Sequence, residues 1–175
     1  MKNNRLCGVD LVGRGTYTAK GIKAIASAIS VSKALKCIDL GRNDIRVKGM
    51  KHIAKGIADS TLLRSINLSH DKIDDERAKH ISKGISVSAS LTNVDLSWSR
   101  IYNEDIKHIA ESIADSASLT SINLKNNYIG PDGAKHIAKA IAVSASLTSI
   151  NLSWNVIGVE GVKHIAKGIF VSASL

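Results

Sequence analysis

From Leu119 the chain reads LTSINLKNNYIGPDGAKHIAKAIAVSAS, and from Leu147 it reads LTSINLSWNVIGVEGVKHIAKGIFVSAS, with 20 of 28 positions identical. The same frame recurs at Leu91, Leu63 and Leu35, so the pattern advances by a constant step of 28. Self-similarity at such a period marks a solenoid, in which no unit buries its apolar face alone and each is stabilised by its neighbours. That single fact restricts the fold more than any local propensity.

Each unit opens with apolar residues of period 2, as at Leu35, Ile38 and Leu40 or at Leu147, Ile150 and Leu152. This predicts a short strand with one buried face. An Asn-like residue follows (Asn43, Asp71, Ser99, Asn127, Asn155), then an Ile two positions on that points into the core. An Asn amide can satisfy both donors and acceptors of a buried turn. Asp71 and Ser99 offer fewer bonds, which predicts looser middle repeats. The second half switches to helical spacing, with Met50, Ile53, Ala54 and Ile57 on one stripe. Asp74, Asn103 and Pro131 mark the helix starts, with Asp75, Glu76, Glu104, Asp132 and Glu160 where the helix dipole favours acids. A Ser-rich VSAS-like segment closes each unit.

The units so defined are 35–62, 63–90, 91–118, 119–146 and 147–174, preceded by an atypical first repeat over 6–34 whose strand is read at Leu6, Val9, Asp10 and Leu11. Strands pack about 4.8 Å apart and helices roughly 8 to 10 Å apart, so the stack must bend with its strands inside. The expectation is one α/β domain over 1–175, a right-handed α/β solenoid with parallel strands on the concave face and helices on the convex face. Leu175 aligns with the opening leucine of each unit, so the flank of the last helix (Val162, Ile165, Ala166, Ile169) and the strand edge at Ile150 and Leu152 are expected to face solvent or another chain.

The pattern LxxIxLxxNxI, with a helix completing each unit, resembles the ribonuclease inhibitor-like class of leucine-rich repeats over nearly the whole chain. The class includes the repeat arrays of NOD-like receptors and of Ran GTPase-activating proteins. The resemblance implies an intracellular horseshoe that binds other proteins.

Composition agrees with that setting. The polar start MKNNR lacks the apolar run of a secretory signal, and no stretch is long enough to span a bilayer. Cys7 and Cys37 fall out of register in neighbouring repeats, which argues for free thiols in a reducing, cytoplasmic compartment.

Catalytic motifs are missing: there is no nucleophile elbow, phosphate-cradling loop, CxxC pair or HExxH helix. The series His52, His80, His108, His136 and His164 tempts a metal reading. Its rungs lie a helix diameter apart, too wide for two imidazoles to share an ion, and each follows a lysine (Lys51, Lys79, Lys107, Lys135, Lys163) that repels a cation. We read the series as a duplicated surface residue and expect no metal, cofactor or catalytic residue. Acidification should take the formal charge from +9 toward +15 and loosen the stack by repulsion. The outer face also carries Lys55, Lys83, Lys139 and Lys167, which could attract anionic polymers, but it has no interleaved aromatics for stacking on bases.

The concave face presents Asp39, Asn67, Asp95, Asn123 and Asn151 among small polar residues. Just beyond each strand the repeats diverge most, at Arg42, His70, Trp98, Asn126 and Trp154. Trp98 and Trp154, roughly 10 Å apart along the inner rim, are either interface anchors or cover for the following turn near Tyr102 or Val156; Tyr17, Tyr102 and Tyr128 read as turn cover. The reading is a non-enzymatic scaffold that binds a partner protein through Arg42, His70, Trp98, Trp154 and the concave Asp and Asn residues. A GTPase activator-like regulator and a weak electrostatic binder of anionic polymers are the alternatives. A homodimer through the C-terminal edge is a further expectation.

Overall fold

The computed structural model describes residues 18–175. The strand expected at Leu6 to Leu11, together with Cys7 and Tyr17, lies outside the described residues. From there the chain alternates helix and strand: α1 (Ala19–Val31), β1 (Cys37–Asp39), α2 (Val47–Asp59), β2 (Ser65–Asn67), α3 (Asp75–Val87), β3 (Asn93–Asp95), α4 (Asn103–Asp115), β4 (Ser121–Asn123), α5 (Pro131–Val143), β5 (Ser149–Asn151) and α6 (Gly158–Val171). The five strands form one parallel sheet in sequence order, and each residue pairs with its equivalent in the next repeat, as Ile38 with Ile66 and Val94 with Ile122. Each helix packs on the next helix and each strand on the next strand. The molecule is an α/β solenoid.

Between the two layers lies an aliphatic core. Leu40, Leu68, Leu96 and Leu124 from the strand ends meet Ile45, Ile73, Ile101 and Ile129 from the turns and the helix stripes Ile53/Ile57, Ile81/Ile85, Ile109/Ile113 and Ile137/Ile141, all closed to solvent. Repetition puts the same shapes at the same height in every unit, so successive layers interdigitate at interior density.

At one position of the repeat, three helices approach the backbone of their predecessors through a glycine. A Cβ on Gly56, Gly84 or Gly168 would stand 2.6, 2.7 or 2.5 Å from the backbone oxygen of Ala26, Ala54 or Ala138. Ser112 and Ala140 occupy the same repeat position with a side chain, so α4 and α5 sit against their neighbours with room for one.

Two polar ladders hold the connections. The VSAS-like segment, read from sequence only as a closing loop, carries one of them. Its first serine (Ser60, Ser88, Ser116, Ser144) ends the helix and accepts from the N–H three residues on, while the second donates one repeat back. Ser90 Oγ bonds the carbonyls of Ser60 and Leu63 at 2.9 Å each, and Ser118 and Ser146 repeat this. Buried backbone carbonyls need such partners wherever the chain leaves regular structure.

The Asn-like residues form the second ladder. Asn127 Oδ1 accepts from the N–H groups of Ser99 (3.0 Å) and Ile101 (3.1 Å) in the preceding turn, and its Nδ2 donates to the carbonyls of Leu124 (2.9 Å) and Leu96 (3.1 Å). Asn155 repeats the donations, to Leu152 and Leu124. Ser99, fully buried, makes fewer side-chain bonds than Asn127: its hydroxyl shares one proton between the carbonyls of Leu68 and Ser97, at 3.3 and 3.1 Å.

Candidate functional site

Immediately after each strand the backbone turns inward to deliver the ladder residue, and this turn requires a left-handed conformation. Arg42, His70, Trp98, Asn126 and Trp154 adopt it, with φ of 62°, 60°, 59°, 53° and 59°. L-residues other than Asn and Asp resist this region, at a cost of roughly 1 kcal/mol or more each. Glycine would suit the backbone, yet none of the five repeats uses it. Side chains are therefore kept here against their conformational cost, and such retained strain concentrates at functional sites. Asp44 and Arg100 are second left-handed residues in their turns, which sequence reasoning did not single out.

The row is continuous at its N-terminal end. Backbone N–H groups of Arg42, His70, Trp98 and Asn126 bond the carbonyls of Ser69, Ser97, Lys125 and Ser153 at 2.9 Å, which fixes the side chains side by side. The His70 imidazole stacks on the Trp98 indole with centroids 5.3 Å apart and planes 8° from parallel, and the Arg42 guanidinium reaches His70 Nε2 at 3.4 Å. Burial pushes the His70 imidazole below its usual range and the Arg42 charge adds to the shift, against a smaller opposing pull from Asp95. A cation, an imidazole and an indole are thus laid along one rim. Trp98 is 49% exposed and Trp154, beyond Asn126, is 75% exposed. Trp98 spends its contact on His70; the tyrosines stack on each other instead, Tyr102 on Tyr128 at 4.9 Å, and both stay half exposed.

On the sheet side, Asp39, Asn67, Asp95, Asn123 and Asn151 share one local role. Each accepts from the N–H two residues on, at Gly41, Ser69, Ser97, Lys125 and Ser153, over 2.8 to 3.1 Å. These Asx turns end the strands. Asn123 also donates across the rungs to Asp95 at 3.1 Å. These hydrogen bonds fix the orientation of the side chains on this face.

The histidine series lies on the helix side and is half-buried between helices. His108 Nε2 sits 3.0 Å from Asp75 in α3 and Nδ1 3.5 Å from Glu111. Among the described residues, no group of three or more His, Cys, Asp or Glu side chains is placed to hold a metal ion. No helix among them is long and apolar enough to cross a membrane.

Comparisons with known proteins agree with this architecture. No curated protein matches the sequence. Among solved structures, the C-terminal domain of Caenorhabditis elegans tropomodulin superposes with a TM-score of 0.69 at 14% identity, over 86% of this chain and 92% of that one. Leiomodin-1 actin-binding site 2 does so with 0.69 at 15% identity, over 83% and 87%. At such identities the likeness is one of fold. A family model described as Leucine Rich repeat matches residues 31–54, 115–138 and 143–166, and with one strand and one helix in each repeating unit, the chain is a leucine-rich-repeat protein.

Proposed function

We propose that the chain is a non-enzymatic scaffold that holds a partner protein on its concave face and ascending rim. The observation that carries this is the row of left-handed, non-glycine residues Arg42, His70, Trp98, Asn126 and Trp154. Tryptophan and arginine are the residues that most often dominate interface energy. Trp98 and Trp154 serve as the aromatic anchors, Arg42 and His70 extend the row, and Asp39, Asn67, Asp95, Asn123 and Asn151 supply an oriented polar floor. The exposed thiol of Cys37 supports a reducing, cytoplasmic setting.

Two features weigh against the basic helix face as the main binding surface. Lys55, Lys79 and Lys163 are engaged in ion pairs with Asp59, Asp75 and Glu160 on their own helices. Among the described helices only Phe170 adds an aromatic ring to the imidazoles, too few for stacking on successive bases.

The test is affinity capture from the native cell with the wild-type chain and with Trp98→Ala/Trp154→Ala. Actin, bound by the leiomodin-1 domain of the same fold, is the first purified candidate to assay. Loss of a central anchor typically costs about 2 kcal/mol or more. Unchanged affinity of the double variant for a captured partner overturns the site. Accelerated GTP hydrolysis by a small GTPase, or affinity that collapses with added salt, favours the two alternatives in turn.

A further inference from the structure

Asp71 stands in the asparagine ladder without an asparagine's donor. Its side chain is 1% exposed. Oδ1 accepts from the N–H groups of Asn43 (3.0 Å) and Ile45 (3.3 Å), just as Asn127 Oδ1 accepts from Ser99 and Ile101. Oδ2 is buried with no partner. By repeat equivalence it occupies the place of the Asn127 Nδ2, which donates to Leu124 O and Leu96 O; the counterparts at Asp71 are Leu68 O and Leu40 O. An ionised Oδ2 brings only lone pairs to a site whose surroundings offer carbonyl lone pairs, and a buried polar atom left so costs about 1–3 kcal/mol, more when charged. A protonated Oδ2 is a donor with nearly the shape of the amide.

We propose that Asp71 is a proton-operated latch in the turn ladder: the folded stack binds a proton on Oδ2, the neutral acid completes the ladder as an amide would, and ionisation weakens the turn that carries His70. No bond other than O–H forms or breaks, and the proton comes from solvent.

The charged groups around the latch are Arg42, Asp44 and Arg46 on the preceding turn, His70, Lys72 and Asp74 on its own, and Arg100 on the next. Arg77 of α3 lies across them, with Nε on the Ile45 carbonyl and Nη1 on Asp74. Burial is the largest influence on the carboxyl and pushes it up to about 7; N–H groups of Ile45, Asn43 and Asp44 oppose this, and the negative charge of Asp44 adds to the rise. In the unfolded chain the group returns to 3.8. The folded state therefore holds the proton more tightly, and the stability it brings is full below about 4, declines as pH rises and is gone above about 7.

Asp71→Asn supplies the donor at every pH and leaves the six histidines in place, so their titration cancels in the comparison. Urea unfolding of the full chain is measured from pH 5 to pH 8 for both proteins. The expected result is a variant more stable than wild type at pH 8, with the gap closing toward pH 5; two pH units of full linkage change the relative folding constant up to ~100-fold. Infrared spectra supply an independent reading: the folded wild type at pH 6 should show a neutral carboxylic acid band that the variant lacks. A stability difference that stays constant from pH 5 to 8, or no difference in that band, overturns the proposal. Partner capture plays no part in either measurement, so the latch and the scaffold reading stand or fall separately.

Discussion

The His70 ring lies flat on the Trp98 indole, 5.3 Å centre to centre, although a full repeat separates them in the chain. The indole shields one face of the imidazole while Arg42 stands at its edge, and both conditions disfavour the charged ring. Trp98→Ala should therefore raise the His70 titration midpoint toward that of an exposed histidine, and Arg42→Ala should raise it by a smaller step. Proton NMR titration of the imidazole resonances measures both. A midpoint unmoved by Trp98→Ala would show that the stack contributes nothing to the desolvation of the ring.

Asn127→Ala should be among the most damaging polar substitutions in the chain. It strands the N–H groups of Ser99 and Ile101 and the carbonyl of Leu96 in one buried layer, while the Leu124 carbonyl keeps its bond from Asn155 Nδ2. With about 1–3 kcal/mol for each unsatisfied donor, the loss should exceed about 2 kcal/mol. Asn155→Ala, where the side chain is only half-buried, should cost clearly less. Chemical denaturation of the two variants side by side decides the ranking.

Gly84→Ala should destabilise by about 1–3 kcal/mol, because its methyl group would press on the Ala54 carbonyl across the α2–α3 contact. Ser112→Ala, at the same position of the next repeat, adds no volume and should stay within about 1 kcal/mol. Equal effects in the two would mean that α3 can slide outward without loss.

α6 presents an apolar flank to solvent: Val159 is 73% exposed, Val162 60% and Phe170 89%, while Ile150 and Leu152 of the last strand are only partly covered. Stability in a stacked array is close to a sum over neighbouring interfaces, and among the described helices α6 packs on α5 alone. Its amides should exchange faster than those of α4 in dilute solution, and rising protein concentration should protect them if two copies meet there. Hydrogen exchange with sedimentation at increasing concentration tests both halves. Slow exchange in α6 together with a monomer at all concentrations would show that the flank needs no cover.

Local pattern announces most of the architecture because repetition turns it into tertiary structure. The spacing Leu35, Ile38, Leu40 can only close its apolar face against the same spacing one repeat on, so period and strand register are one number. The ladder at Asn43, Asp71, Ser99, Asn127 and Asn155 is likewise visible as a column of hydrogen-bonding residues. Ser99 makes fewer bonds in that column than Asn127, as its short side chain implies, though its hydroxyl still reaches two carbonyls. The VSAS serines are legible as a loop but not as a ladder, because their acceptors lie in the preceding repeat.

What the amino-acid order determined by itself is the α/β solenoid: its period, its buried stripes and the column of variable residues from Arg42 to Trp154. Their left-handed backbone, the stacking of His70 on Trp98 rather than of Trp98 on Tyr102, and the stranded Oδ2 of Asp71 were decided only by tertiary structure. The reason is physical. Apolar burial follows composition and spacing, whereas a dihedral sign, a ring contact or the solvation of one oxygen depends on distances between atoms that different repeats bring together.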